Sequence, residues 1–216
     1  MFDLTLTFDN GPEPVVTAAV LDVLAARGIK TTFFVVGRQL AGPGSLAMAE
    51  RAQAQGHWIG NHTWSHGEPL GTRTEPDVAQ AEIGRTQLLL DTAGVVPGER
   101  LFRPNGGGGV IGPHLLNKDC LDFLCAGGFT CVLWNSIPRD WAEPDAWVEN
   151  ALAQCAEQPW TLMVLHDIAS GAMRHLPRFL DAAAEQGARF RQDFPPDCLP
   201  IVRGQTVQPL QPYVTQ

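Results

Sequence analysis

Short apolar runs rich in β-branched and aromatic residues alternate with longer amphipathic segments along most of the chain, which is typical of strands alternating with helices. The predicted strands are Leu4–Phe8, Thr31–Val36, His57–Gly60, Leu101–Arg103, Thr130–Trp134 and Thr161–Leu165. The predicted helices are Pro14–Arg27, Ser45–Gln55, Glu75–Ala93, Leu115–Ala126, Asp145–Ala156 and Met173–Gln186. Pro14 suits the first turn of a helix, and Gly28, Gly56 and Gly187 each follow a predicted helix end.

This alternation predicts a mostly parallel α/β fold. About seven strands, each usually followed by a helix, favour a (β/α) barrel that is imperfectly closed. An open, doubly wound sheet is the alternative. The sequence shows no internal repeat, low-complexity segment or linker. We therefore expect a single domain over residues 1–216, with a C-terminal tail from about residue 204 laid over the surface.

Composition and charge narrow the class of protein. The 216 residues are 44% hydrophobic and 18% charged, which indicates a globular chain. A formal net charge of −8 and scattered arginines argue against a nucleic-acid partner, since phosphate binding needs clustered basic residues. No apolar run is long enough to span a bilayer, and no secretory signal is visible. We expect no membrane partner and a cytoplasmic location, or secretion if a leader has been removed.

Polar side chains collect where the predicted strands end. Five separate segments contribute them, and the carboxyl ends of parallel strands meet at the rim of a barrel that carries active sites. The residues are Asp9, Asn10, His62, His66, Arg103, Asp140, Trp141, His166 and Asp167. The sequence therefore predicts one site at this rim.

Three of these residues are candidate metal ligands. His62 and His66 face the same side if their segment is helical, so that both can bind one metal ion. Two unrelated surface or capping histidines are the alternative. Asn10 can offer its amide oxygen as a neutral third ligand.

Two other residues suit proton transfer, and a third can assist one of them. Asp9 ends a strand, where its carboxylate can act as a general base, although Asp-Asn-Gly-Pro is also a common turn sequence. His166 follows another strand, and a neighbouring carboxylate such as Asp140 can orient it and raise its pKa. His166 is therefore a candidate general acid near neutral pH.

Together these segments resemble the NodB-homology polysaccharide deacetylases, carbohydrate esterase family 4. The first family motif, T-F-D-D-G-P, is similar to Thr7-Phe8-Asp9-Asn10-Gly11-Pro12, and the second, H-[ST]-x-x-H, to His62-Thr63-Trp64-Ser65-His66. Arg103-Pro104 fits the start of the third motif, Asp140-Trp141 the end of the fourth, and Leu165-His166-Asp167 the fifth. The resemblance spans the chain from Leu4 to about Gln186.

The resemblance implies a distorted (β/α) barrel with a divalent metal at its rim, usually zinc, although the ligand types also admit cobalt, nickel or manganese. Carried over by motif, His62 and His66 are metal ligands, Asp9 is the base paired with Arg103, His166 is the acid paired with Asp140, and Trp141 and Pro104 lie at the substrate. The implied reaction removes acetyl from an N-acetylated sugar, by attack of a metal-activated water on the acetamide.

The chain departs from the family pattern at three places. Asn10 stands where a second aspartate is usual, which weakens the expected metal site. Asn105–Gly109 contains four consecutive glycines in place of an aromatic residue and one glycine, which suggests a mobile or close-packed loop beside the site. Ile137 stands where an aspartate is common. The pocket is therefore expected to be specialised.

Three functions agree with these observations. The first is deacetylation of an N-acetylated sugar or oligosaccharide. The second is hydrolysis of a small cyclic amide or imide, for which a closed pocket is expected in place of an open groove that exposes Trp141. The third is a non-catalytic carbohydrate-binding relative. Asn10 favours the third, whereas retention of the whole acid, base and ligand set argues against it.

Overall fold

One mixed sheet forms the centre of the molecule. The computed structural model of the chain describes residues 1–95 and 98–215, and positions 96, 97 and 216 of the predicted domain lie outside this part. Within it the strands are β1 (Phe2–Asp9), β2 (Thr32–Val35), β3 (Trp58–Asn61), β4 (Arg100–Phe102), β5 (Phe129–Cys131), β6 (Trp160–His166), β7 (Ala188–Arg191), β8 (Ile201–Val202) and β9 (Gln205–Thr206). The α-helices are α1 (Pro14–Ala25), α2 (Gly37–Leu40), α3 (Ser45–Ala54), α4 (Arg85–Ala93), α5 (Lys118–Ala126), α6 (Trp147–Ala156) and α7 (Leu176–Glu185).

The strands are arranged as in a barrel that is not fully closed. β1 to β5 lie side by side in parallel and in chain order, and β6 lies beside β1. The segment after β5 approaches β6, where Ser136 bridges Met163 and accepts the N–H of Val164 at 3.1 Å. The predicted distorted (β/α) barrel is thus confirmed, because a doubly wound sheet would reverse its strand order at a switch point.

The sequence does not predict β7, β8 and β9. β7 is only partly buried, and its Arg189 and Arg191 form ion pairs with Asp3 at the start of β1, so that no apolar pattern marks it. β8 and β9 have two residues each and pair antiparallel to each other across a turn with left-handed φ values at Arg203 and Gly204. The predicted tail from about residue 204 therefore begins inside this hairpin.

Two helices start later than their hydrophobic pattern predicts. The segment from Glu75 to Ala93 contains a π-helix, Gln80–Gly84, followed directly by α4. Helix α5 starts after Asn117, whose side chain accepts the N–H of Cys120 at 2.8 Å and so caps the helix. No helix in the described part of the chain is long and apolar enough to cross a membrane.

The two faces of β1 determine where the site lies. Leu4, Leu6 and Phe8 belong to the core between the sheet and the surrounding helices, and all three are buried. Side chains alternate along a strand, so Thr7 and Asp9 point to the other face, into the barrel. Because β1 ends at Asp9, its carboxylate is placed at the rim where the parallel strands end.

Close packing inside the barrel makes a test of this arrangement possible. A Cβ on Gly60 of β3 would lie 2.5 Å from the Phe34 ring, so Gly60→Ala should overpack the interior and destabilise the fold by about 1–3 kcal/mol. Gly98→Ala is the matched control, since a Cβ there meets nothing within 4 Å. Urea denaturation measures both, and equal midpoints for the two variants would contradict the packing described here.

Candidate active site

Asp9 is held by a fully buried arginine that follows β4. The Arg103 Nη1 donates to Asp9 Oδ1 at 2.9 Å and to the Thr7 hydroxyl oxygen at 2.6 Å. Its Nε and Nη2 donate to the carbonyl oxygens of Val132 and Leu133, each at 3.0 Å. Both partners are almost completely buried, so this ion pair and its hydrogen bonds fix the direction of the Asp9 carboxylate.

His62 and His66 lie beside the same carboxylate. His62 Nδ1 is 2.8 Å from the Arg103 carbonyl oxygen, which can only accept, so Nδ1 carries the proton and Nε2 keeps its lone pair. That Nε2 lies 3.6 Å from Asp9 Oδ2, and the two histidine rings have centroids 4.9 Å apart. The structure therefore brings the predicted histidine pair together.

Burial keeps both imidazoles neutral. It lowers the pKa of His62 to about 3, against the opposing charge of Asp9. Burial also lowers the pKa of His66, again opposed by Asp9 and assisted by the positive charge of His166. A neutral imidazole is the form that binds metal ions, and it is the form present here near neutral pH.

The condition on which the histidine pair was predicted is wrong, although the pairing is right. Residues 62–66 form an irregular turn and not a helix. Thr63 and His66 have left-handed φ values of 65° and 49°, and the His66 N–H donates to the Thr63 hydroxyl at 3.1 Å. This turn, and not a helical i,i+4 spacing, brings the two rings to one side.

Asn10 completes a ligand set that fits a divalent metal. It lines the same pocket as the two histidines, with a φ of 74° that asparagine tolerates better than most residues. Its Oδ1 is buried without a hydrogen-bond partner, although buried polar atoms normally have one. Two neutral imidazole nitrogens and an orphaned amide oxygen suit zinc, cobalt or nickel. No cluster of three or more His, Cys, Asp or Glu side chains suited to a metal occurs in the described residues.

His166 and Asp140 form the second buried pair of the site. His166 Nδ1 donates to Asp140 Oδ1 at 2.8 Å, and the backbone N–H of His166 donates to Oδ2 at 2.9 Å. Burial acts to lower the pKa of His166, but the hydrogen bond and charge of Asp140, with weaker effects of Asp9 and Asp167, raise it overall. Because Nδ1 is engaged, Nε2 is the atom available to a ligand.

The pocket wall contains residues that the sequence motifs do not identify. Trp141 lies edge-on to His166, with ring centroids 4.7 Å apart, and Pro104 lies on another side. The apolar remainder of the wall consists of Trp134, Ile137, Val164 and Ile168. Trp134 ends the predicted strand Thr130–Trp134, so the rim position that identifies Asp9 could also have identified Trp134.

The glycine-rich segment is close-packed at its two ends, whereas Gly107 and Gly108 in its middle are exposed. The Asn105 side-chain amide donates to the Gly67 carbonyl at 2.6 Å, and Trp134 Nε1 donates to the Gly109 carbonyl at 2.9 Å. A Cβ on Gly106 would lie 2.7 Å from the Trp134 ring, so the indole occupies the space that a side chain at position 106 would need. The backbone of residues 106–109 itself lines the pocket.

The predicted ligands, acid, base, their partners and substrate contacts lie together, whereas Asp167, also predicted at the rim, accepts the Thr17 hydroxyl at 2.5 Å and does not line the pocket. Those that line the pocket are Asp9, Asn10, His62, His66, Pro104, Trp141 and His166. Arg103 and Asp140 are fully buried behind Asp9 and His166, as predicted from their pairing.

The sequence matches a known family and characterised relatives. A model of the polysaccharide deacetylase family matches residues 3–118, which contain the Asp9, His62 and Arg103 motifs. A chitooligosaccharide deacetylase of Bradyrhizobium sp. (strain ANU 289) is 35% identical over 164 residues, covering 75% of this chain and 69% of the relative. The second match extends well beyond the segment that the family model covers.

Solved structures give the same result for the fold. A family 4 carbohydrate esterase from Streptomyces lividans, in complex with acetate, superposes with a TM-score of 0.73 at 26% identity, covering 93% of this chain and 97% of that one. A family 4 acetyl xylan esterase from Clostridium thermocellum, in complex with a cobalt ion, superposes with a TM-score of 0.68 at 28% identity, covering 88% and 87%. The predicted family and hydrolase class are confirmed, and the chain belongs to the polysaccharide deacetylase family.

Proposed function

We propose that this protein is a metal-dependent hydrolase that removes acetyl from an N-acetylated sugar or oligosaccharide. One observation carries the proposal: Asp9 and His166, each held by a buried partner of opposite charge, face the same pocket as the neutral His62 and His66. A base, an acid and a ligand pair in one pocket are the groups that amide hydrolysis needs.

The donor set is the place for the metal. His62, His66 and Asn10 would hold a divalent ion, which when bound polarises the amide carbonyl and lowers the pKa of a bound water. We propose zinc, with cobalt, nickel and manganese as alternatives, because imidazole nitrogen suits zinc and nickel and an amide oxygen such as that of Asn10 also admits manganese. The cobalt ion bound to the Clostridium thermocellum relative supports a divalent transition metal in general.

Asp9 is positioned to accept the proton of the attacking water. Its Oδ1 is occupied by Arg103, whereas Oδ2 faces His62 Nε2 at 3.6 Å, so Oδ2 lies on the ligand side of the carboxylate. Arg103 keeps the carboxylate oriented, and its own four hydrogen bonds prevent it from turning into the pocket. The base is therefore preorganised for this transfer.

His166 is positioned to donate a proton to the departing amine. Asp140 holds Nδ1–H, so the imidazolium presents its second N–H, on Nε2, to the pocket. An amine leaves readily only once its nitrogen is protonated, and a histidine with a raised pKa carries that proton near neutral pH. Acetate and a free amino sugar are the products.

An N-acetylated sugar is favoured over the other candidates by the pocket wall. Trp141 is half-buried at the pocket, where an indole suits the apolar face of a pyranose, and the Bradyrhizobium relative is a chitooligosaccharide deacetylase. Hydrolysis of a small cyclic amide and binding without catalysis remain the alternative outcomes of the experiment below. Intact contacts within the acid and base pairs speak against the second of these.

The decisive experiment measures acetate release from chitooligosaccharides, from monomeric N-acetylated sugars and from acetylated xylan. The protein is assayed after loading with zinc or cobalt and again with a chelator. Metal-dependent acetate from the N-acetylated substrates is the expected result. Acetate release from acetylated xylan alone would identify an O-acetyl ester, and not an N-acetyl amide, as the substrate. No acetate release from metal-loaded protein would refute deacetylation.

Replacing the base tests the mechanism. Asp9→Asn should lower kcat by about 10²–10⁴-fold, because the amide cannot accept the proton of water. The variant also leaves Arg103 buried without a carboxylate, so folding and bound cobalt are measured in the same sample. Near-normal turnover by folded, cobalt-loaded Asp9→Asn protein would refute the role of Asp9.

The partner of the acid gives a separate test. Asp140→Asn removes the charge that raises the pKa of His166, so its titration in metal-free protein should move to lower pH. NMR of the His166 ring measures it, and Asp145→Asn, which removes an exposed carboxylate near His175, is the control. An unchanged His166 midpoint in Asp140→Asn would contradict the prediction.

The same substitution should change stability with a defined sign. The pKa of His166 is higher in the folded protein than in the unfolded chain, so protonated His166 stabilises the fold below the unfolded value, and this contribution disappears as pH rises through the folded value. Asp140→Asn should therefore lower the free energy of unfolding by more at a pH below the pKa of His166 in the unfolded chain than at a pH above its pKa in the folded protein.

A further inference from the structure

Glu82 is a buried carboxylate outside the pocket that makes three hydrogen bonds to the turn between the two histidines. Its Oε2 accepts the backbone N–H groups of Trp64 at 3.1 Å and Ser65 at 2.8 Å, and its Oε1 accepts the Ser65 hydroxyl at 2.8 Å. Arg73 donates to the same Oε1 at 2.7 Å. Only 6% of Glu82 is exposed, so these bonds are shielded from water.

The turn needs support of this kind. Thr63 and His66 both adopt left-handed φ values, which are uncommon outside glycine and most unfavourable for a β-branched residue such as Thr63. Conformations like these cost about 1–3 kcal/mol each and persist where surrounding contacts determine them. Glu82 contacts the two residues that lie between Thr63 and His66, so it acts on the strained part of the turn.

The π-helix presents Glu82 to the turn. Glu82 lies at the centre of Gln80–Gly84, and the carbonyl oxygen of the next residue, Ile83, accepts the side-chain N–H of Asn61 at 2.9 Å. Asn61 Oδ1 in turn accepts the N–H of Thr63 at 3.0 Å. Such short π-helical segments frequently occur at functional sites, and this one connects to the turn from two sides.

Charge compensation keeps the carboxylate ionised. Burial acts to raise the pKa of Glu82, but hydrogen bonds from Ser65 and Arg73 lower it overall. Arg73 also pairs with Glu75, which is exposed and makes no bond to the turn. An ionised carboxylate accepts stronger hydrogen bonds from backbone N–H groups than a neutral one.

We propose that Glu82 is a positioning residue that holds the His62–His66 turn in its metal-binding shape before the metal arrives. The inference rests on the proposed metal site and deepens it. Glu82 does not line the pocket, and it acts on metal affinity through the turn. In metal-free protein the N–H of Ser65 is therefore protected from hydrogen exchange.

Cobalt titration of metal-free protein tests the inference without using activity. Glu82→Gln keeps the size of the side chain and removes its charge, and Glu82→Ala removes all its bonds to the turn. Loss of a direct hydrogen-bond partner of a metal ligand weakens metal binding by about 10–100-fold. Glu82 acts one step further out, through the turn, so we expect a loss of affinity up to about this size in Glu82→Ala and a smaller loss in Glu82→Gln. Glu75→Gln, which alters exposed bonds to Arg73 and Thr74 and leaves the Glu82 contacts to the turn in place, should bind cobalt as the wild type does.

Hydrogen exchange of the Ser65 N–H supplies a second measurement. Protection in the wild type and its loss in Glu82→Gln are expected, with the urea midpoint recorded for each variant. A merely structural role would lower that midpoint without weakening cobalt binding by the folded protein. If Glu82→Ala does not fold, Glu82→Gln and Ser65→Ala decide, because each alters the same contacts with a smaller change.

The outcomes separate the two proposals. Equal cobalt affinity in the wild type and in folded Glu82→Gln and Ser65→Ala proteins overturns the role of Glu82 and leaves the deacetylase proposal intact. A wild type that binds neither cobalt nor zinc overturns the proposed metal site itself, and the role of Glu82 with it.

Discussion

The ion pair of Asp9 and Arg103 inside the barrel is the interaction on which the rest of the site depends. Arg103 has no exposed surface, so its charge is tolerable only because Asp9 and three further acceptors surround it. Its guanidinium also lies 4.1 Å over the Phe34 ring, and its own carbonyl oxygen accepts His62 Nδ1–H. A single residue thus joins the base, a metal ligand and the barrel interior.

The second pair repeats this arrangement with the charges exchanged. A cation holds the carboxylate Asp9, and a carboxylate holds the imidazole His166, so each pocket-facing group has a buried partner of opposite charge. The opposite environments assign opposite roles to two groups at one rim. Between them lie His62 and His66, which burial keeps neutral and therefore suited to a metal.

Much of this site follows from sequence, because the strand ends of a parallel barrel carry its chemistry and the motifs fall at those ends. The contacts that shape the site are less accessible. Glu82 supports a turn that lies 17 residues earlier in the chain. Trp134 occupies the space beside Gly106 from a different segment. Neither hydrophobic periodicity nor motif spacing predicts these two contacts. Similarly, Arg189 and Arg191 of β7 form ion pairs with Asp3, so this strand lacks the apolar alternation by which strands are predicted. The assumption that residues 62–66 are helical is wrong, because the spacing of two histidines does not reveal the left-handed φ values of Thr63 and His66.

The interlocking of Gly106 with Trp134 constrains how this pocket can change during evolution. A side chain at position 106 collides with the indole, and at position 109 it meets both Ile137 and a φ of 88°. Single replacements at positions 106 and 109 are therefore blocked, while shrinking Trp134 alone leaves a void in the wall. A new substrate preference on this side of the pocket requires coordinated substitutions in two distant segments. Either substitution made alone should therefore give a less stable protein than the two made together.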